Sequence, residues 1–285
     1  TGGKCQMAEC QPGFVLIPTG EFDMGSPVTE PGHLACESLR HRVVKRAFCL
    51  QSSEATQAEW VAYNGYNPTK ELKCGAACPA DGVSFWEAVR HCNRRSEIEG
   101  LTPCYKLVGC NDENGMDLGC QNVFFEGVAC TGYWLPTEIQ WEYAARAGTT
   151  WATYNGTSSI IDCTQPNAVL DPIAWFCGNS LGHLQPVQGL TPNAWGLYDM
   201  LGNASEWTWT KWAFERMASR FRTPNRPGVS MTAASSFEAA PARNRRRRCG
   251  PGTGTSRSRR TRRCPDSDWR DGPIDVGRLG DQDTG

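Results

Sequence analysis

The distribution of cysteine sets the narrowest limits on the folds open to this chain: fifteen lie across 285 residues. Cytosolic proteins rarely keep so many thiols, so the count points to an oxidising compartment and a fold stapled by disulfides. The number is odd, so at least one cysteine is left over. Zinc is the competing use, and Cys74-Gly-Ala-Ala-Cys78 has a spacing that zinc sites employ. No second close pair with a suitable His or Cys partner follows it, and Cys5/Cys10, Cys36/Cys49, Cys104/Cys110 and Cys120/Cys130 read as loop staples. Spacing alone does not give the connectivity.

With 30 Gly, 11 Trp and 39% hydrophobic residues, the chain has enough apolar surface for a core but is rich in turn-forming positions. A loop-rich globule fits this better than a helical bundle. The formal net charge of -1 gives no global attraction for nucleic acid or membrane surfaces. That average hides ten arginines and no lysine between Arg243 and Arg263. No run of about 18 apolar residues occurs, so no transmembrane helix is expected. The first residue is Thr1, which fits a cleaved signal or a truncated chain.

Residues 14–24 read as two short strands broken at Pro18-Thr19-Gly20, which is hairpin chemistry. A third strand is expected over His41 to Leu50. Thr56 followed by Glu59 is a capping-box arrangement that starts a helix. Phe85, Ala88, Val89 and Cys92 then fall at i, i+3, i+4 and i+7 on one helical face. Cys104 to Thr131 is a stapled excursion with one short strand at Val123-Phe124-Phe125. Thr137 is the expected N-cap of a further helix that Gly148 stops. Ala194 to Trp212 is dense in Trp and Tyr and reads as core.

Three segments go beyond composition. They are Phe14-Val-Leu-Ile-Pro-Thr-Gly-Glu-Phe-Asp-Met-Gly-Ser26, Gly132-Tyr-Trp-Leu-Pro-Thr-Glu-Ile-Gln-Trp-Glu-Tyr-Ala-Ala-Arg-Ala-Gly148 and Pro192-Asn-Ala-Trp-Gly-Leu-Tyr-Asp-Met-Leu-Gly-Asn-Ala-Ser-Glu-Trp-Thr-Trp209. Together with Glu54 to Trp60 and Pro79 to Asn93, in this order and spacing, they resemble the formylglycine-generating enzyme (sulfatase-modifying factor) family. The resemblance implies an α+β fold, a C-type-lectin-like variant with little regular secondary structure. It also implies the family reaction, oxidation of a sulfatase cysteine to formylglycine with dioxygen and a copper(I) held by two cysteines, for which soft thiolates are suited. Many members lack those cysteines and serve as binding modules for carbohydrate or protein.

The best local site is Asp199-Met-Leu-Gly202-Asn203-Ala204-Ser205-Glu206. A tight glycine turn between two carboxylates suits a hard cation, with side-chain oxygens from Asp199 and Glu206 and carbonyls from Gly202 and Ala204. These four positions match the family's calcium loop. A second family calcium site should fall near Asn167 or Asn179, where the sequence departs from the enzyme pattern. Ser205 replaces a family Trp and creates the sequon Asn203-Ala-Ser205, beside a second one at Asn155-Gly-Thr157. His33, His41, His91 and His183 show no spacing for a metal site or triad. Glu138, Glu142 and Arg146 share a helical face and read as an ion-pair row. A reactive Cys92 would need an electropositive setting.

The expected organisation is an N-terminal segment over 1–12, a family-like domain over 13–226 whose last strands are missing, and an Arg-rich, disordered tail over 227–285. The tail lacks the Arg-Gly-Gly-Ser strand, the copper cysteines and the closing Gly-Phe-Arg of the family, and Cys249 and Cys264 have the wrong context. Read one base out of step, Phe237-Glu-Ala-Ala-Pro241 permits Arg-Gly-Gly-Ser, and Met231-Thr-Ala-Ala-Ser-Ser permits Asp-Arg-Ser-Val-Leu. A frameshift near residues 222–230 accounts for this, and for arginine excess without lysine. Two functions follow: the copper-dependent oxidase, inactive in this chain, or a non-catalytic, calcium-stabilised, lectin-like module. Either would be exported (secreted, periplasmic or lipoprotein-anchored), with a sulfatase, another exported protein or a glycan as partner.

Overall fold

Phe14–Ile17 (β1) pairs antiparallel with Phe48–Gln51 (β4), and Gly20–Met24 (β2) pairs antiparallel with Arg40–Val44 (β3). These elements come from a computed structural model that describes residues 9–209, except 35–36, 71–72, 112–115, 128–129 and 159–161. The two strands expected over 14–24 are present, but not as a hairpin with one another. The segment expected as one strand from His41 to Leu50 is split and returns along both. Residues 18–19 face residues 45–47, so the ladders are out of step by one residue at Pro18, which has no N–H to give a ladder. This pairing sets Ile17 opposite Phe48 and puts both, with Val44, into one core with Trp141, Ala144, Leu197 and Met200. A local β1–β2 hairpin would forgo that burial.

The helices form where capping chemistry starts them. Thr56 caps Gln57–Asn64 (α1), Ser84 caps Phe85–Ile98 (α2) and Thr137 caps Glu138–Arg146 (α3). Each is a complete capping box that satisfies backbone N–H groups of the first turn. Helix α3 stops at Ala147, already left-handed at φ 45°, one residue before the expected Gly148. As expected, α2 buries Phe85, Ala88, Val89 and Cys92. A second core forms there, with Cys104, Tyr105 and Val123 buried and Trp207 and Trp209 packed against them.

Tyr105–Val108 (β5) and Asn122–Phe125 (β6) make an antiparallel hairpin. Its register decides the disulfides. Residue 111 faces 119, so Cys110 pairs with Cys120, and Cys104 pairs with Cys130 at the base. The neighbouring pairs Cys104/Cys110 and Cys120/Cys130 are therefore not the staples. Cys10 reaches β4 and bonds Cys49, which replaces the staples expected at Cys5/Cys10 and Cys36/Cys49. Cys74–Cys78 is a disulfide, which removes the zinc reading of that pair, and Cys163–Cys177 closes a later loop. Among the described residues, Cys92 alone is free.

The result is a disulfide-stapled α+β fold with short helices, small two-stranded sheets and long connecting loops. Among the described residues, no helix is long and apolar enough to cross a membrane. The expected tail at 227–285, and most of the expected segment 1–12, lie outside the described residues.

Candidate metal centre

Between Tyr198 and Glu206 the backbone turns back on itself without helix or strand. Asp199 and Asn203 hold positive φ values of 54° and 53°, and Gly202 sits at 81°. Three left-handed positions in five residues make a tight loop, and left-handed non-glycine residues persist only where the surroundings hold them. Here the holding contacts are visible. The Asn203 N–H donates to the Trp175 carbonyl at 2.9 Å. The Asn203 side-chain oxygen accepts from the Gln185 N–H at 3.0 Å, and its amide donates to the Gln185 carbonyl at 3.1 Å.

The carboxylates of this loop are anchored from three directions. Asp199 Oδ2 accepts from the Gln188 N–H at 2.6 Å. Glu206 Oε2 accepts from the Trp141 indole N–H, which joins the loop to α3. Glu54, just ahead of α1, is 8% exposed, and its Oε1 accepts from the Ala204 N–H at 3.4 Å. Its Oε2 is buried with no hydrogen-bond partner.

Glu54 and Asp199 are buried and Glu206 is half-buried, and the three carboxyls form one acidic cluster. Burial pushes the Glu54 carboxyl well above the usual range, and the charges of Glu206 and Asp199 push it further. Burial also raises Asp199, and it raises Glu206 to about 7 with the Asp199 charge acting in the same direction. Uncompensated, three acids in one apolar setting are unfavourable. Among the described residues, no three acidic, His or Cys side chains converge closely enough to grip an ion unaided. A calcium shell here would need backbone carbonyls beside the carboxylates, and Gly202 and Ala204 are the loop residues that would supply them. Oxygen-only donors, a glycine-centred turn and an orphaned buried carboxylate oxygen fit a calcium ion.

The structure thus brings Asp199, Gly202, Ala204 and Glu206 into one loop and adds Glu54, which the sequence showed only as the start of a helical segment. Its partners are about 150 residues away in sequence, so no local pattern could have found it. The Asn167 Oδ1 accepts from the Val169 and Leu170 N–H groups. Asn179 Oδ1 accepts from the Phe176 N–H, so both asparagines are committed to shaping their own loops.

Copper fits less well. Ten of the described cysteines are in disulfides, and Cys92 is buried with its thiol pushed up to about 12. The described residues therefore offer no pair of thiolates for copper(I), and burial makes Cys92 unreactive. Cys249 and Cys264 lie outside the described residues.

The other polar candidates have structural partners. Glu142 pairs with Arg146 at 2.7 Å and accepts from the Gly25 N–H, tying α3 to the loop after β2, while burial and the Glu142 charge raise the pKa of Glu138. His91 stacks on Trp60, and burial lowers its pKa to about 4. His33 meets Ser26, and His41 lies between Glu21 and Asp23. The Asn203 sequon is blocked because both ends of that amide are engaged by Gln185. Asn155 is exposed, and its amide donates to the Val169 carbonyl.

The sequence model of the Sulfatase-modifying factor enzyme 1-like domain matches residues 4–263. The chain belongs to this family. It is 31% identical to the formylglycine-generating enzyme of Mycobacterium tuberculosis over 229 residues, covering 70% of this chain and 74% of that one. It is 29% identical to the chaperone protein LppX of Paenibacillus barcinonensis, covering 57% of this chain and 61% of that one. It is 31% identical to the formylglycine-generating enzyme of Bos taurus, covering 75% and 62%. The chain therefore spans less than two thirds of the length of two of these relatives. Among solved structures, Treponema denticola variable protein 1 shares the fold with a TM-score of 0.54 at 24% identity, over 69% of this chain and 72% of that one.

Proposed function

We propose that this chain is an exported, calcium-stabilised binding module of the sulfatase-modifying factor family that does not carry out the oxidation. The observation that carries the calcium reading is the crowding of the buried Glu54 carboxyl, whose Oε2 takes no N–H donor, against Asp199 and Glu206. A divalent cation offsets the mutual repulsion of these carboxylates, and the loop carbonyls complete an oxygen shell. The five disulfides among the described residues support an oxidising compartment. Equilibrium dialysis of the full chain should give one calcium per chain. Glu54→Gln should weaken that binding by about tenfold or more, since hydrogen bonds and contacts to charged groups are worth about 1.5–3 kcal/mol. Unchanged affinity in this variant would remove Glu54 from the site.

The absence of oxidation rests on the lack of a thiol pair among the described residues and on the tail sequence, for which we propose a frameshift near residues 222–230. A sulfatase-motif peptide incubated with copper(I) and oxygen should yield no aldehyde with the chain as it stands. A version with the tail frame restored should produce it. Aldehyde formed by the unaltered chain would overturn the binding-module reading, and intact reading-frame sequence at the locus would sink the frameshift.

A further inference from the structure

A cavity that shares no lining residue with the acidic loop opens at the step where β1–β4 and β2–β3 lose register. It has a volume of about 420 Å³ and is lined by Leu16, Pro18, Thr19, Ala47 and Trp195. No charged side chain is part of the wall. The backbone at Trp195 is held in place before any ligand arrives: its main-chain N–H donates to Asn193 Oδ1 at 3.0 Å, and the buried Asn193 amide donates to the Ala144 carbonyl of α3 at 2.8 Å. The Tyr143 ring packs edge-on against the indole with centroids 4.9 Å apart. An aromatic wall fixed in this way loses little conformational freedom on binding.

Charge enters from one side. Lys45 and Arg46, the residues immediately before Ala47, are exposed in the three-residue arm of the register step. Among the described residues neither cation takes part in a salt bridge. An apolar wall next to two uncommitted cations matches a ligand that is apolar at one end and anionic at the other.

We propose that this cavity is a binding site for a small amphiphilic anion, an apolar ring or short chain carrying a carboxylate, with the apolar part against Trp195, Pro18 and Leu16 and the charge towards Lys45 and Arg46. The volume stands at the small end of ligand sites and suits a molecule of roughly ten to fifteen non-hydrogen atoms. The site is independent of the calcium loop, so either can fail without the other.

Calorimetric titration of the full chain with naphthalene-2-carboxylate tests it, with naphthalene-2-methanol as the neutral counterpart of the same shape. The carboxylate should bind about fivefold to tenfold more tightly than the alcohol, the size expected from two solvent-exposed cations, and the preference should shrink with added salt. The double variant Lys45→Gln/Arg46→Gln should bind both probes equally. Trp195→Ala should lose binding. Because that variant also touches the core, Ala47→Trp provides a second arm: it fills the cavity from an exposed position and should block the carboxylate while the thermal transition stays in place. Equal affinity of the two probes for the unaltered chain, undiminished binding to Ala47→Trp, or no binding of the carboxylate at millimolar concentration would each overturn the site.

Discussion

With calcium chelated, the protein should lose stability as the pH rises from about 4.5 to about 7, and added calcium should reverse that trend. Glu206 is raised to about 7 from an ordinary value of 4.5. Between those values the folded state holds a proton that the unfolded chain has released, so stability falls with rising pH. The loss from Glu206 alone is on the order of 3 kcal/mol at 1.36 kcal/mol per unit, and the raised Glu54 and Asp199 act in the same direction. Below about 4.5 the penalty is absent. Calcium binding displaces those protons, so its stabilisation grows as pH rises. At a hundredfold excess over its dissociation constant it contributes about 2.7 kcal/mol, or about 5–10 °C in the thermal midpoint of a chain this size. Thermal melts from pH 5 to pH 8, with chelator and with calcium, read both effects. A midpoint that climbs with pH in chelator, or that ignores calcium at pH 8, would contradict the buried acidic cluster.

Gly202→Ala should cost more than about 3 kcal/mol and abolish the calcium response, because strain and a backbone clash act together. A Cβ at Gly202 would stand 2.1 Å from the Trp175 carbonyl oxygen and 2.9 Å from its carbon, and the position has φ +81°. The obstacle is backbone, so no rotamer change relieves it. The loop would have to leave Trp175, giving up the Asn203 N–H bond that holds it. Gly148→Ala is the control: it shares a positive φ of 86° but has nothing within 4 Å of the added carbon, so only the conformational cost of about 1–2 kcal/mol should appear. Urea unfolding of the two variants separates clash from strain. Equal losses would mean that the close approach of Gly202 to Trp175 is not maintained in solution.

Local chemistry was legible wherever neighbours in sequence are neighbours in space. Thr56, Thr137 and the face of α2 could be read directly, because capping boxes and 3.6-residue spacing involve residues three or four apart. The stretch from Asp199 to Glu206 stood out for the same reason, as a family motif eight residues long. The strands were located but mispaired. Two β-like runs around Pro18 look like a hairpin, and nothing nearby shows that each finds a partner in residues 40–51.

The sequence by itself determined the family, the capped helices and the disulfide-stapled character. Tertiary structure alone decided which cysteines join, since the register of β5 against β6 sets Cys110 opposite Cys120 and Cys104 near Cys130. It alone brought Glu54 to Ala204 and Trp141 to Glu206, across sequence separations of 150 and 65 residues. The physical reason is the range of the forces involved. Capping and helical periodicity act within a few residues, whereas burial is indifferent to sequence distance and gathers whichever carboxylates and apolar faces the packed elements bring together.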